Sequence, residues 1–317
     1  MNTVAYAAIN KDDAIREKSS SGAVFYEFAR RVIENGGVVY GARYDEDWSV
    51  VHGHTESMDG IDDFLGSKYV QSNVADEYKD AEKNLKAGRT VLFSGTPCQI
   101  EGLKYFLGKE YENLLTVDFI CHGVPSPAVW KNYLNEVANG REVRSISFRD
   151  KTEGWLHFSL RMDFSDGSQH RQTQQEDLFM KGFLQDIYLR PSCYQCRFKT
   201  VERNSDITLA DYWGVNKVLP DMFDDKGTSL ILIHSEAGKS LWTDVRDGFR
   251  SCQIDVGDVE KRNKNVISSV AMPSKRADFY RKGTIDFDYL RDLTKIPLQK
   301  IVVRKAKNVV KKMIGKN

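Results

Sequence analysis

Four cysteines in three marked positions constrain the fold of this chain more than any other feature. Residues 193–196 form a C-x-x-C pair, and such a pair commonly offers two thiolates to one metal ion or cluster. Cys98 follows the apolar run at 91–93, and Cys121 follows the apolar run at 114–120. We interpret both runs as buried strands, and open α/β sheets gather their site residues at the carboxyl ends of strands. We therefore predict that the four cysteines converge on a single four-thiolate site.

Strand-like apolar runs alternate with helical patterns along the chain. Apolar residues repeat at helical spacing over 23–33, and the glycines at 36–37 end that pattern. A hairpin turn at Asp166-Gly167 indicates an antiparallel pair, Trp155 to Asp163 and Ser168 to Gln172, within the segment 143–172. Apolar residues at 179, 183, 187 and 189 predict an amphipathic helix before the C-x-x-C loop, and we also predict a strand at 229–233 and a helix at 236–245. We predict an α/β fold, in which a mixed sheet is flanked by helices and carries an antiparallel β insertion and a C-terminal helical tail.

Basic residues are concentrated at the C-terminal end. Residues 295–317 carry eight basic and no acidic side chains, whereas the whole chain has 46 basic and 45 acidic residues. The rest of the chain is therefore acidic and has no basic stripe interleaved with aromatics, so we expect no nucleic-acid binding. The basic tail has two interpretations: a helix that contacts an anionic membrane or an acidic partner, and a solvated helix packed along one edge.

Cysteine usage and the N-terminal residues indicate the cellular compartment. The N-terminus has neither the basic start nor the long apolar segment of a signal peptide, and no run approaches the ~18 apolar residues that span a bilayer. Five cysteines, an odd number, argue against a disulfide scaffold and for a reducing compartment. We therefore expect a cytoplasmic protein, and we interpret Cys252, which stands apart from the other four, as structural.

A serine-rich turn at 19–22 precedes the predicted helix at 23–33. Such a turn offers a helix N-cap, free backbone N–H groups and the positive end of the helix dipole, which together suit a phosphate. A plain N-cap is the alternative. Lys68 and Tyr69, which follow the helix-ending Gly66, suit a ligand with a planar ring and phosphates.

Cys98 is predicted in the first turn of a helix, because Pro97 suits that position. The helix dipole favours a thiolate there, which fits a metal ligand and also a nucleophile. His52 and His54 fall on one face of a predicted strand. We expect both histidines to be surface residues rather than ligands.

Four motifs occur together in one known family. They are Ser94-Gly95-Thr96-Pro97-Cys98-Gln99, Cys121-His122-Gly123-Val124-Pro125-Ser126-Pro127, Arg190-Pro191-Ser192-Cys193-Tyr194-Gln195-Cys196 and Asp206-Ile207-Thr208-Leu209-Ala210-Asp211-Tyr212-Trp213-Gly214. They resemble the family of the coenzyme F420 hydrogenase/dehydrogenase beta subunit. The segments 18–22 and 66–72 look like the N-terminal region of that family, so the resemblance covers roughly 4–245.

The resemblance implies an iron–sulfur flavoprotein oxidoreductase. Such a protein passes electrons between a [4Fe–4S] cluster, a flavin and an unidentified substrate or redox partner. Carried over by motif, the implied cluster ligands are Cys98, Cys121, Cys193 and Cys196, and the implied sites for FAD or FMN are Ser19, Ser20, Ser21, Gly22, Lys68 and Tyr69. His122 is implied as a catalytic proton donor or as a hydrogen-bond donor to the cluster, with a surface-loop histidine as the alternative.

The resemblance also implies a domain organisation and partners. Residues 1–72 are expected to form the N-terminal part of the flavin-binding region, 73–270 the cluster-binding α/β domain, and 271–317 the basic helical tail. Many bacterial relatives begin with a ferredoxin-like domain that bears two C-x-x-C-x-x-C runs, and this chain has none. We therefore expect a separate ferredoxin-like or other electron-donor protein, together with a small-molecule substrate. The sequence is compatible with a homo-oligomer.

Several alternatives stay open on the sequence. Many bacterial members occur beside polysaccharide-synthesis enzymes, but the substrate is not named by the residues. Use of a deazaflavin in place of FAD or FMN is undecided. The same four cysteines could form a structural zinc site, and Cys98 alone could be an enzymatic nucleophile.

Overall fold

The computed structural model describes residues 2–281 and 285–295. The strands in this part of the chain are β1 (Val4–Asn10), β2 (Val38–Tyr44), β3 (Val50–Thr55), β4 (Val91–Ser94), β5 (Leu114–Phe119), β6 (Val143–Asp150), β7 (Ser159–Phe164), β8 (Gln169–Thr173), β9 (Ile207–Asp211), β10 (Ser229–Ile233) and β11 (Phe249–Ile254). The α-helices are α1 (Asp13–Lys18), α2 (Val24–Glu34), α3 (Glu77–Lys86), α4 (Pro97–Leu107), α5 (Pro127–Ala138), α6 (Leu178–Leu184), α7 (Val215–Val218), α8 (Glu236–Val245), α9 (Val256–Arg262), α10 (Lys275–Tyr280) and α11 (Phe287–Thr294). Short 3-10 turns occur at Asp59–Phe64, Pro191–Gln195, Pro220–Met222, Arg246–Gly248 and Lys264–Val266.

Eight strands form one mixed sheet in the order β11-β1-β10-β9-β5-β4-β2-β3. The pairs β2/β4, β4/β5 and β5/β9 are parallel, and the other pairs are antiparallel. The strands β6, β7 and β8 form a separate antiparallel sheet. The predicted α/β class, with its mixed sheet and antiparallel insertion, is confirmed.

Helices cover both faces of the large sheet, so strands inside it can be buried on both sides. All five residues of β10 are buried, as expected for a strand packed on two sides. On one face α2 and α8 bury Phe28, Val32 and Trp242 against the sheet. Near β2 and β4 the other face is covered by α3 and α4. These helices fix the strand ends from which the cysteine loops emerge.

The small sheet packs with α5, α6 and α11 into a second core rich in aromatics. Trp130, Phe148, Phe179 and Phe287 are all buried in it. Because Leu290 of α11 is fully buried in the same cluster, residues 287–294 belong to the folded body. The rest of the predicted basic tail, 296–317, and its proposed membrane contact lie outside the described residues.

Three local predictions differ from the structure. The helix expected to reach Leu189 ends at Leu184, because Asp186 adopts a left-handed conformation with φ +61° and turns the chain. The strand predicted from Trp155 begins at Ser159. The N-cap of α2 is Ala23 with φ +65° and no side-chain hydrogen bond, so the preceding serines do not cap the helix.

The predicted boundary at residue 72 stays a prediction. The large sheet takes strands from both sides of it, since β1 pairs with β10 and β11 and β2 pairs with β4. Within the described residues, no helix combines the length and the apolar character needed to cross a bilayer.

Candidate functional site

Cys98 is the second residue of α4, at the carboxyl end of β4. Thr96 and Gln99 form a capping box, in which each side chain accepts a hydrogen bond from the backbone N–H of the other residue. Pro97 is the first residue of the helix. The Gln99 amide also donates to the Ser72 hydroxyl at 2.9 Å. These contacts fix the turn that presents Cys98, whose side chain lies at the protein surface. The predicted placement in a helix first turn is confirmed.

Cys121 lies in the loop that leaves β5, the parallel neighbour of β4. Gly123 in this loop has φ +139°, a conformation that other residues rarely adopt. A Cβ on Gly123 would stand 3.2 Å from the Cβ of Cys193 and 2.8 Å from the Leu189 side chain. The Cys121 loop and the C-x-x-C loop therefore pack directly against each other, and the close approach requires glycine.

The C-x-x-C pair is held in the 3-10 turn at Pro191–Gln195. The Cys193 N–H donates to the Arg190 carbonyl at 2.9 Å, and the Cys196 N–H donates to the Ser269 hydroxyl at 3.0 Å. Tyr194, between the two cysteines, is buried in the aromatic core. The turn is thus anchored from beneath, while both cysteines are half-buried.

The structure brings the four cysteines into electrostatic contact. Protein atoms packed around the Cys98 sulfur remove part of its water and raise the pKa of the thiol, although the residue as a whole is exposed, and Cys196 and Cys193 raise it further. Burial also raises the pKa of Cys121 to about 12, with Lys199 lowering it and Cys98 and Cys193 adding to the increase. Residues nearly a hundred positions apart therefore share one site. Cys252 lies elsewhere, on β11 opposite Ala7.

The spacing of the sulfurs distinguishes between kinds of metal centre. No three of the cysteine sulfurs in the described chain lie within 4.8 Å of one another. A tetrahedral zinc with Zn–S bonds of about 2.3 Å would require sulfurs about 3.8 Å apart. In a cluster each thiolate binds a different iron, so the sulfurs stand farther apart. The cysteine sulfurs of the described chain are therefore not arranged as a preformed tetrahedral zinc site.

His122 follows Cys121 and has polar partners on both sides of its ring. Its Nδ1 lies 3.1 Å from the Asn265 side-chain nitrogen. Its Nε2 lies 2.7 Å from an Asp186 carboxylate oxygen. The two groups are close, but their relative orientation is not that of a hydrogen bond. The ring also packs edge-on against Phe183 at 5.0 Å.

The serine turn contains hydroxyls without partners. Ser19 and Ser21 are only 7% and 8% exposed, and neither hydroxyl has a hydrogen-bond partner among residues 2–281 and 285–295. Ser20 contacts the Ser67 hydroxyl at 2.8 Å. A Cβ on Gly22 would stand 2.3 Å from the Ala8 carbonyl oxygen, so this position also requires glycine. Buried polar groups without partners are rare and point to a ligand or water.

Lys68 and Tyr69 lie close to the serine turn. The Lys68 ammonium donates to the Leu65 carbonyl at 3.0 Å, and loss of water around it lowers its pKa to about 8. An open cleft of about 320 Å³ runs beside these residues. Its lining residues are Lys18, Asp62, Leu65, Gly66, Ser67, Ile146, Ser147 and Phe148.

Arg149 joins these parts and was not anticipated from the sequence. Its buried guanidinium donates to Tyr69 at 3.2 Å, to the Ser20 carbonyl at 3.1 Å and to Asp211 at 2.8 Å. It also lies 4.0 Å from the ring centre of Phe158. A strand arginine among polar neighbours carries no sequence signal for such a role. The structure alone shows that it links the serine turn, Tyr69 and the end of β9.

One segment connects the candidate flavin residues with the cysteines. Beyond Lys68 and Tyr69, the Gln71 side chain accepts a hydrogen bond from Arg190, and Ser72 contacts Gln99. The Tyr69 ring lies 5.0 Å from that of Phe183, which also contacts His122. The two candidate regions are therefore neighbours.

The two strand histidines have different environments. The expectation that His52 is a surface residue is wrong: it is 4% exposed and its Nε2 lies 3.0 Å from the Ser94 carbonyl. The ring packs on Phe93, because α4 and its preceding turn cover this face of the sheet. His54 is exposed as expected, and its Nδ1 lies 3.0 Å from Glu77 and 3.7 Å from Asp80.

The chain is similar to known proteins both in sequence and in fold. Residues 88–261 match the family model for the C terminus of the coenzyme F420 hydrogenase/dehydrogenase beta chain. A chain in the xenon-derivatised structure of the F420-reducing [NiFe] hydrogenase complex from Methanosarcina barkeri is similar with a TM-score of 0.56 and 16% identity, over 89% of this chain and 90% of that chain. At this identity the likeness concerns the fold. No curated protein matches. Because the family match spans more than half of its residues, the chain belongs to the coenzyme F420 hydrogenase/dehydrogenase beta subunit family.

Proposed function

We propose that this protein is an iron–sulfur flavoprotein oxidoreductase. In this proposal Cys98, Cys121, Cys193 and Cys196 hold a [4Fe–4S] cluster, and a flavin binds beside the serine turn. The observation that carries the proposal is the convergence of four cysteines from three separate segments on one site. Family membership supports a redox role in a general sense.

The cysteine sulfurs are not preformed for one tetrahedral zinc ion, which counts against the zinc alternative. The nucleophile alternative requires a cysteine with a lowered pKa, because the thiolate is the reactive form. Burial instead raises the pKa of Cys98, in spite of its place in a helix first turn and the Thr96 hydroxyl at 3.1 Å. Bound iron would replace the thiol protons and stabilise the buried thiolates. The cluster therefore accounts for more of the site than the nucleophile does.

The flavin assignment depends on the partnerless hydroxyls of Ser19 and Ser21 at the start of α2. The N-terminus of this helix, with free N–H groups and two buried hydroxyls, suits a phosphate of FAD, FMN or the deazaflavin F420. Lys68, with its ammonium in a poorly hydrated position, adds positive charge, and Tyr69 offers a ring edge held by Arg149. A bound flavin would exchange two electrons with a substrate and release them one at a time.

Residues of this chain would set the conditions for that exchange. Phe183, between Tyr69 and His122, excludes water from the space between the two candidate sites. His122, held by Asn265 and Asp186, is proposed as the catalytic residue that supplies a proton or a hydrogen bond near the cluster. Because Cys98 is exposed, a separate electron-donor protein could approach within a short distance of the cluster.

The experiment is anaerobic purification followed by iron, sulfide, zinc and flavin quantitation. Wild-type protein should contain about four irons and about four sulfides per chain. Each Cys→Ser change at 98, 121, 193 and 196 should lower the iron content sharply. Cys252→Ser is the matched control, because Cys252 is a half-buried thiol outside the site and its loss should leave iron unchanged. One zinc per chain without iron would refute the proposal.

Flavin binding is tested in the same preparations. Ser21→Ala removes a partnerless buried hydroxyl without adding volume, and it should lower the flavin content while leaving the iron content intact. Ser205→Ala is the control, since Ser205 is also buried but lies away from the serine turn, beside Asp118. Equal flavin content in both variants would argue against a flavin at this turn.

A further inference from the structure

The Lys199 side chain ties together the loops around the four cysteines. Lys199 follows Cys196 by three residues, and its ammonium donates to the carbonyl oxygens of Cys121 and Asn265, the latter at 2.9 Å. The Asn265 amide in turn lies 3.1 Å from His122 Nδ1. One lysine thus joins the C-x-x-C loop, the Cys121 loop and the 3-10 turn at Lys264–Val266.

The charge of Lys199 is directed at the cysteines rather than at a carboxylate. The ammonium interacts electrostatically with Cys121, Cys196 and Cys193. In the described part of the chain it forms no ion pair, whereas the neighbouring Arg203 lies 3.8 Å from Asp118. Its two carbonyl contacts leave the third N–H of the ammonium without a hydrogen-bond partner among the described residues.

We infer that Lys199 is the positive charge that sets the reduction potential of the metal site, favouring its reduced state. This inference rests on the cluster proposed above. Reduction of a four-thiolate cluster adds one electron from an external donor, forms and breaks no bond, and adds one negative charge. A cation beside the thiolates stabilises the reduced state more than the oxidised state, so it raises the potential. Partial burial of Lys199 protects this interaction from screening by salt.

The test is a redox titration of anaerobically purified protein with dithionite and mediators, followed by electron paramagnetic resonance. Lys199→Gln keeps a side-chain donor for the carbonyls but removes the charge, and Lys199→Arg keeps the charge. In the Gln variant we expect the one-electron reduction equilibrium to become at least tenfold less favourable, a fall in midpoint potential of about 59 mV or more. The Arg variant should retain a potential close to that of the wild type.

Lys151→Gln is the matched control. Lys151 is 7% exposed and also donates to two backbone carbonyls, those of Arg16 and Lys226. Its electrostatic neighbours are Glu17, Arg149, Arg16 and Asp211, with no cysteine among them. Lys151→Gln should leave the midpoint potential unchanged. This variant controls for the general effect of losing a buried ammonium that donates to two carbonyls.

The outcomes separate the inference from the proposal on which it rests. Wild-type protein without iron and sulfide overturns both. A full cluster with equal potentials in the wild type and in Lys199→Gln overturns the role of Lys199 alone. If Lys199→Gln loses its cluster but Lys199→Arg keeps the cluster at the wild-type potential, the positive charge is needed and the inference is supported. Loss in both variants shows that Lys199 is only a structural anchor and overturns the inference.

Discussion

Replacing Arg149 with methionine should destabilise the protein by an amount that the structure allows to be worked out. The Arg149 side chain is 2% exposed and faces the Asp211 carboxylate at 2.8 Å, which is itself 15% exposed. Methionine keeps most of the apolar stem but removes the guanidinium. Asp211 then keeps one donor, the Trp155 indole N–H at 3.3 Å. The change therefore leaves a largely buried carboxylate without its cation.

The expected loss of stability follows from that unpaired carboxylate. Removal of one partner of a buried ion pair costs about 3–5 kcal/mol, and the partial exposure of Asp211 places this case near 3 kcal/mol. With an unfolding entropy of about 2.1 cal/mol/K per residue, a chain of this length should lose about 4 to 5 °C in Tm. Asp211→Asn in the same protein removes the unpaired charge, so the double variant should recover about 1–2 kcal/mol.

The assay is thermal and urea unfolding of the cofactor-free protein, which keeps the result independent of flavin and cluster content. Arg31→Met is the control, because Arg31 is 42% exposed and its partner Asp244 is 41% exposed. That change should cost less than about 1 kcal/mol. Equal losses for the two arginine variants, or no recovery in the double variant, would refute the argument that Arg149 holds a buried charge network.

Three further outcomes are expected. Burial lowers the pKa of His52 from 6.5 to about 4. The contribution of neutral His52 to the free energy of unfolding is therefore complete above pH 6.5 and is lost as the pH falls through 4. His52→Gln should remove about 3 kcal/mol of the difference in unfolding free energy between pH 7 and pH 4, measured by urea unfolding at each pH. Gly123→Ala should lower the iron content by displacing Cys193, whereas Gly140→Ala, at a positive φ of +80° with open space around it, should leave the iron content unchanged. Leu290→Ala should cost about 3 kcal/mol in urea unfolding, and a loss below about 1 kcal/mol would show that α11 does not pack in the core.

The meeting of the Cys98 and Cys121 loops at one sheet edge could be predicted because its signals are local. Cys98 and Cys121 each follow an apolar run, and parallel neighbouring strands bring such ends together without further information. Helix α8 and strand β10 can also be predicted with their observed limits, since clear caps and apolar runs define them. Where a short pattern determines the structure, sequence reasoning succeeds.

The supporting residues could not be predicted because their partners are distant in sequence. Arg149 donates to Asp211, which is 62 positions away in the sequence, and Lys199 donates to the Cys121 carbonyl, which is 78 positions away. His52 was misplaced for a related reason: strand alternation shows which residues share a face but not what covers that face. Ser269 and Asn265, which hold the cysteine loops, lie beyond the segment in which the family resemblance was seen.

The position of β1 between β10 and β11 has a consequence for synthesis in the cell. Val4 pairs with Ile233, and Ala5 pairs with Ile254. The partners of the first strand are therefore synthesised more than 200 residues after it. At about 5–20 residues per second this delay is roughly 10 to 45 s, during which an apolar strand is unprotected on the ribosome. We expect nascent chains to depend on chaperones during this interval. A fragment with the limits of the matched family segment would keep β10 without its β1 neighbour and should aggregate through that open edge.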